Sequence, residues 1–117
     1  IDEVFAAAAQ CGSAMLAWPV HATLKRVSDD AMVTETVGRK GLWEAQTPQV
    51  FDKALLRGAY AAGAAGATDD AQLVEAIGQR VRVVVGDPRN VKITMPADLA
   101  MAEALWPTLA GDGPAQQ

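Results

Sequence analysis

Among the ten Lys and Arg residues and the seven threonines of this sequence are side chains with the chemistry to grip an anionic small molecule. Arg39 and Lys92 carry permanent positive charge, and Thr23, Thr47 and Thr68 carry hydroxyls that both donate and accept hydrogen bonds. A guanidinium can hold a phosphate through two parallel N–H groups, a geometry that an ammonium cannot copy. Further basic residues surround both cations, with Lys25, Arg26 and Lys40 near Arg39, and Arg80, Arg82 and Arg89 near Lys92. Two small clusters in a chain of net charge −4 suit a compact phosphate site better than an extended polyanion. Nucleic acid is excluded as a partner, because phosphate-backbone binding needs a broad basic face. Taken alone, the same charges also fit a solvated surface, and each threonine has a local alternative. Thr68 could cap a helix, Thr47 could precede a helix-starting proline, and Thr23 could fill a strand.

Other reactive residue types form no pattern. The single histidine, His21, has no Ser, Cys or acidic partner at triad spacing and no second ligand for zinc. The single cysteine, Cys11, allows no internal disulfide, which suits a reducing compartment, with the cytoplasm as the expected location. No apolar run reaches the roughly 18 residues of a membrane helix, so no membrane partner is expected. Asp69 and Asp70 could support a site, although helix capping explains them as well. No metal-ligand set emerges.

The elements that must carry these residues alternate between helix and strand, which predicts an α/β layered fold. Val4, Phe5 and Ala8 recur at helical spacing up to a stop at Gly12, and Ala14 to Pro19 is a continuous apolar run that predicts a buried strand. From about residue 22 to 40, β-branched and polar residues mix around the turn signal Ser28-Asp-Asp30, predicting a hairpin arm with no face apolar enough to join a core. Open strand edges on such an arm invite pairing with another chain, so a homodimer is expected.

Pro48 is expected to open a helix with Phe51, Leu55, Leu56 and Tyr60 on one face, fraying into the Ala/Gly-rich stretch from Ala61 to Ala67. Asp69 and Gln72 predict a capping box for a short helix with Leu73, Val74 and Ile77 inward and Gly78 as its stop. Val81 to Val85 predicts a strand, and Val91 to Thr94 a second one on which Lys92 alternates with inward Val91 and Ile93. Pro96 and Asp98 then start a closing helix through Leu105. The expected division is one domain over 1–106 and a disordered tail over 107–117. The core should be thin, because 24 residues are alanine and only six are aromatic.

In order and spacing, Thr23-Leu-Lys-Arg26, Arg39-Lys-Gly-Leu-Trp43, Gln46-Thr-Pro-Gln49, Thr68-Asp-Asp-Ala71 and Asn90-Val-Lys-Ile-Thr94 resemble the 2-C-methyl-D-erythritol 4-phosphate cytidylyltransferase family. The resemblance runs from about Ile1 to Trp106. It implies the C-terminal part of a Rossmann-like nucleotidyltransferase fold with a projecting β-arm. It also implies transfer of CMP from CTP to methylerythritol phosphate with release of pyrophosphate, a step of non-mevalonate isoprenoid biosynthesis. By the same resemblance Arg39 and Lys92 position the attacking phosphate, Thr23, Thr47 and Thr68 bind substrate, and Mg²⁺ bridges the nucleotide phosphates. The family's glycine-rich nucleotide loop, with its arginine and lysine, has no counterpart here, and the chain opens without methionine, so a fragment that is inactive alone is expected. Gly38 departs from the larger residue that other members often carry before the arm arginine.

Two other readings stay open. Gln46-Thr-Pro-Gln49 is shared with ribitol phosphate and related polyol phosphate cytidylyltransferases, whereas the Leu-Lys-Arg and Gly-Leu-Trp elements favour the methylerythritol enzyme. A self-contained arm without a nucleotide loop also fits a non-catalytic dimerisation module.

Overall fold

The computed structural model describes residues 1–111. Helix α1 (Asp2–Cys11) leads into strand β1 (Ser13–Pro19), the middle strand of a three-stranded sheet ordered β4-β1-β5. Val4 and Ala8, one helical turn apart, are buried, whereas Phe5, expected inward, is exposed. Gly12 ends the helix in the left-handed conformation at φ 85°, and its N–H bonds the Ala8 carbonyl at 2.7 Å. The chain can then reverse into β1, whose Ser13 is buried with its hydroxyl donating to the Arg80 carbonyl at 2.8 Å.

Strand β5 (Arg82–Val85) runs parallel to β1, and β4 (Trp43–Phe51) runs antiparallel on the other side. The β1/β4 ladder is broken: Met15 pairs with Gln49 and Ala17 with Ala45, which leaves Gln46, Thr47 and Pro48 opposite Leu16. Such a bulge lifts its residues out of the ladder and re-aims their side chains. The Thr47–Pro48 peptide within it is cis. Helix α1 lies against the sheet, and Val4, Ala8 and Ala14 form a core with Ala7, Leu16, Val50 and Val84 packed around it. This core is thin, as the alanine content predicts.

Strands β2 (Leu24–Val27) and β3 (Val33–Val37) form a separate two-stranded sheet, the predicted arm. Lys25 bonds the Thr36 hydroxyl and Arg26 pairs with Glu35 across it, while Val27, Met32 and Val33 are exposed near its tip. The Cα radius of gyration is 17.2 Å, against about 13 Å for a compact chain of this length. The arm therefore projects.

Several predicted boundaries are corrected. The stretch after Pro48 is strand to Phe51, because Gln49, Val50 and Phe51 pair with Met15, Ala14 and Ser13. Helix α2 (Lys53–Ala62) starts only where the Asp52 carboxylate accepts the Leu55 N–H; Ala59 is its buried residue, and Tyr60 is exposed. In α3 (Asp70–Ala76) Ala71 and Val74 are buried, Leu73 is partly covered, and Ile77 is exposed beyond the helix end. The second strand expected over Val91–Thr94 does not form, since no neighbouring strand offers it a ladder.

Helix α4 (Pro96–Ala110) begins where Asp98 accepts N–H bonds from Thr94 and Met95, contacts that hold its carboxyl below the usual aspartate range. It continues through Pro107, past the expected domain boundary at 106, and the Arg89 guanidinium bonds the Thr108 carbonyl in its last turns. Of the predicted tail, 112–117 lies outside the described residues.

The Gly12 turn yields a direct test. A Cβ there would meet only Leu55 at an ordinary 3.8 Å, so the penalty comes from the backbone conformation alone. Gly12→Ala should lower the stability of the full-length protein by about 1 kcal/mol in urea unfolding. An unchanged midpoint would contradict the turn.

Candidate active site

The bulge in β4 opens onto a cleft of about 330 Å³. Its walls are Gln46, Thr47 and Gln49 of β4, Thr68 and Asp69 from the loop before α3, and Asn90 and Lys92 from the loop after β5. Three of the five sequence-predicted residues, Thr47, Thr68 and Lys92, thus converge although they are 21 or more positions apart.

Each wall is held by side chains bonding to loops. The Gln49 amide donates to Asp69 Oδ2 at 3.1 Å and accepts the Ala71 N–H at 3.2 Å, which fixes the start of α3. Asp69 caps that helix by accepting the Gln72 N–H at 2.8 Å. The return half of the predicted capping box is displaced by one residue, because Gln72 Oε1 accepts from the N–H and hydroxyl of Thr68 instead. Thr68 is thus anchored, and its exposed oxygen keeps lone pairs for a ligand. Asp70 leaves the site and accepts from the Tyr60 hydroxyl, a contact that raises that phenol above its ordinary range. On the opposite wall the Gln46 amide donates to the Asp87 and Asn90 carbonyls at 2.7 and 3.4 Å, and the Asn90 amide donates to the Thr47 carbonyl at 2.7 Å.

The cleft carries groups that could hold an oxyanion. Among the described residues Lys92 has no acidic partner and the Thr47 hydroxyl has no protein hydrogen bond, so both are available to a phosphate. The cleft's carboxylate, Asp69, is already bonded by two N–H groups. Lys92 stands on an irregular loop rather than a strand, and the expected alternation fails: Val91 is partly covered and Ile93 is exposed.

Arg39 and Thr23 are not in these walls. Both are exposed at the root of the arm, where an Arg39 guanidinium N–H bonds the His21 carbonyl. His21 stacks on Trp18 with ring centroids 5.6 Å apart, and its Nδ1 lies 2.7 Å from the Pro19 carbonyl. That pair lines a second hollow of about 410 Å³, which shares Gln46, Asn90 and Lys92 with the first. Lys92 therefore faces two hollows, and Arg39 is tied to the rim of one. The anchoring roles of Gln46, Gln49 and Asn90 were not predicted. The motif spacing singled them out, but their partners lie 20 to 44 positions away.

A sequence model of the 2-C-methyl-D-erythritol 4-phosphate cytidylyltransferase family matches residues 1–107. The chain belongs to this family. The family's enzyme from Syntrophotalea carbinolica is 45% identical over 111 residues, covering 92% of this chain and 47% of that protein. The Synechocystis enzyme is 46% identical over 105 residues, covering 87% and 46%. Among solved structures, the cytidylyltransferase of Thermus thermophilus superposes with a TM-score of 0.80 at 42% identity, over 89% of this chain and 52% of that one. The expected nucleotidyltransferase fold is thereby established. The chain spans about half the length of the relatives it matches.

Beside the cleft, the Arg89 guanidinium bonds Asp87 through two nitrogens and the Arg89 N–H adds a third bond, lowering the Asp87 carboxyl from 3.8 to about 2. A carboxyl lowered on folding stabilises the native state above its ordinary value, and that contribution is lost as pH falls through about 2. Carbon-detected NMR titration should therefore find Asp87 still charged at pH 3, and Arg89→Gln should return its midpoint toward 3.8. An Asp87 midpoint near 3.8 in the unsubstituted protein would contradict the bridge.

Proposed function

We propose that this chain supplies the polyol-phosphate side of a cytidylyltransferase that makes 4-diphosphocytidyl-2-C-methyl-D-erythritol from CTP and 2-C-methyl-D-erythritol 4-phosphate. The observation that carries this reading is the convergence of Thr47, Thr68 and Lys92 on one cleft, joined to the family membership. A phosphate oxygen of the methylerythritol substrate attacks the α-phosphorus of CTP, an oxygen–phosphorus bond forms, and pyrophosphate leaves with the electrons of the broken bond. The attacking and attacked groups are both anionic. Holding them together requires fixed positive charge and oriented donors, which lower the barrier by prepaid positioning and charge screening. Lys92 screens the attacking phosphate, and the Thr47 and Thr68 hydroxyls fix its orientation.

Arg39 and Thr23 lie outside the cleft of their own chain, and the arm that bears them projects with apolar residues exposed. Both facts support a homodimer in which the arm brings Arg39 and Thr23 to the partner's cleft. Mg²⁺ in this reading is held by the nucleotide phosphates. Among the described residues no three His, Cys, Asp or Glu side chains converge, and Asp69 is committed to α3; this reading names no protein ligand for the ion. Among the described residues no helix is long and apolar enough to cross a membrane.

The test is pyrophosphate release by the full-length protein from CTP with methylerythritol phosphate or ribitol phosphate. Methylerythritol phosphate should be preferred, and Lys92→Ala or Arg39→Ala should each lower turnover about a hundredfold, the scale of a lost charge-assisted contact. Thermal unfolding should stay nearly unchanged, since both side chains are exposed. Preference for ribitol phosphate would overturn the substrate, and near-normal turnover in both variants would overturn the site.

A further inference from the structure

We propose that Gln46 is a positioning residue for Lys92, acting through the loop from Gly86 to Asn90; the catalytic consequence rests on the reading that Lys92 grips the attacking phosphate. Lys92 has no strand ladder to place it, so its position comes from what holds the chain on either side: Asp98 bonds Thr94 and Met95 after it, and the loop from Gly86 to Asn90 leads into it. At the near end the Gly86 N–H bonds the Ala17 carbonyl at 2.9 Å, continuing the β1/β5 pairing by one step. Beyond that, two tethers run to the bulged segment of β4. The Gln46 side chain donates to the loop backbone at Asp87 and Asn90, and the Asn90 side chain donates to the β4 backbone at Thr47. The exchange is reciprocal, and it ends two residues before Lys92.

Gly86 supports the same assignment. Its φ lies outside the left-handed region, so its backbone does not require glycine, yet a Cβ there would come within 2.0 Å of Gln46 Oε1. The group that opposes a Cβ at this position is the end of the Gln46 side chain, which would have to move aside. Gln46 Oε1 itself is buried with no hydrogen-bond partner among the described residues, so the bonding value of this amide lies in its N–H donors. Gln46→Glu keeps the shape, removes both donors and sets a negative charge against two carbonyl oxygens.

Two readouts on the full-length protein decide the proposal. By hydrogen exchange, Gln46→Glu should speed the amides between Asp87 and Lys92, Pro88 having none, about tenfold while leaving those of α3 unchanged. Gly86→Ala, which keeps the amide but forces it aside, should give the same pattern and serves if the charged variant folds poorly. By kinetics, Gln46→Glu should lower kcat/KM for methylerythritol phosphate about tenfold with KM for CTP unchanged, and the defect should vanish in a Lys92→Ala background. Unchanged exchange over residues 87–92 in both variants overturns the proposal whatever the activity. Faster exchange with a kinetic defect that persists without Lys92 also overturns it. A wild-type protein that transfers no CMP would instead sink the functional reading, with exchange still judging the tether.

Discussion

Two carboxamides three residues apart on β4 hold the cleft in shape. Gln49 fixes the loop that carries Thr68, and Gln46 fixes the loop that leads to Lys92. No residue of either loop belongs to the core that Val4, Ala8 and Ala14 form under α1. Hydrogen bonds to backbone groups are weak individually but directional, and a phosphate site needs direction more than bulk stability. The bulge opposite Leu16 makes this possible: an unbroken β1/β4 ladder would keep the residues between Gln46 and Gln49 within the pleat.

Much of the fold was legible because it depends on local signals. The Val4 and Ala8 spacing in α1, the Gly12 stop, the turn in the arm and the Asp69 cap each act within a few residues, and each is found in the structure. The failures share one cause. Pro48 resembles a helix start, but pairing with β1 keeps that segment extended. Val91-Lys-Ile-Thr94 resembles a strand by composition, but no neighbour offers it a ladder. Pro107 resembles a helix end, yet α4 continues, with Arg89 bonding the carbonyl of Thr108. In each case a distant partner decides the outcome, and spacing along the chain does not reveal that partner.

The candidate site divides in the same way. The family motifs, and not residue types alone, nominated Lys92, Thr47 and Thr68, because each threonine also had a local structural role open to it. The glutamines and Asn90 look ordinary until their partners in other loops are known. Arg39 and Thr23 were nominated with the rest, but they remain at the root of the arm, outside the cleft's walls, with Arg39 bonded to the His21 carbonyl. Their absence from the cleft's walls is the geometric reason to propose that they serve a partner subunit.

That assignment is tested most directly by mixing subunits. Full-length Arg39→Ala and Lys92→Ala proteins, each nearly inactive, should regain activity when unfolded together and refolded as mixed dimers. If the arm reaches across, every mixed dimer carries one intact site and one doubly damaged site, and an equal mixture should recover about a quarter of normal turnover. If both residues serve the cleft of their own chain, each mixed dimer holds two damaged sites. A mixture that stays as inactive as its parents, while still dimeric, would contradict the composite site.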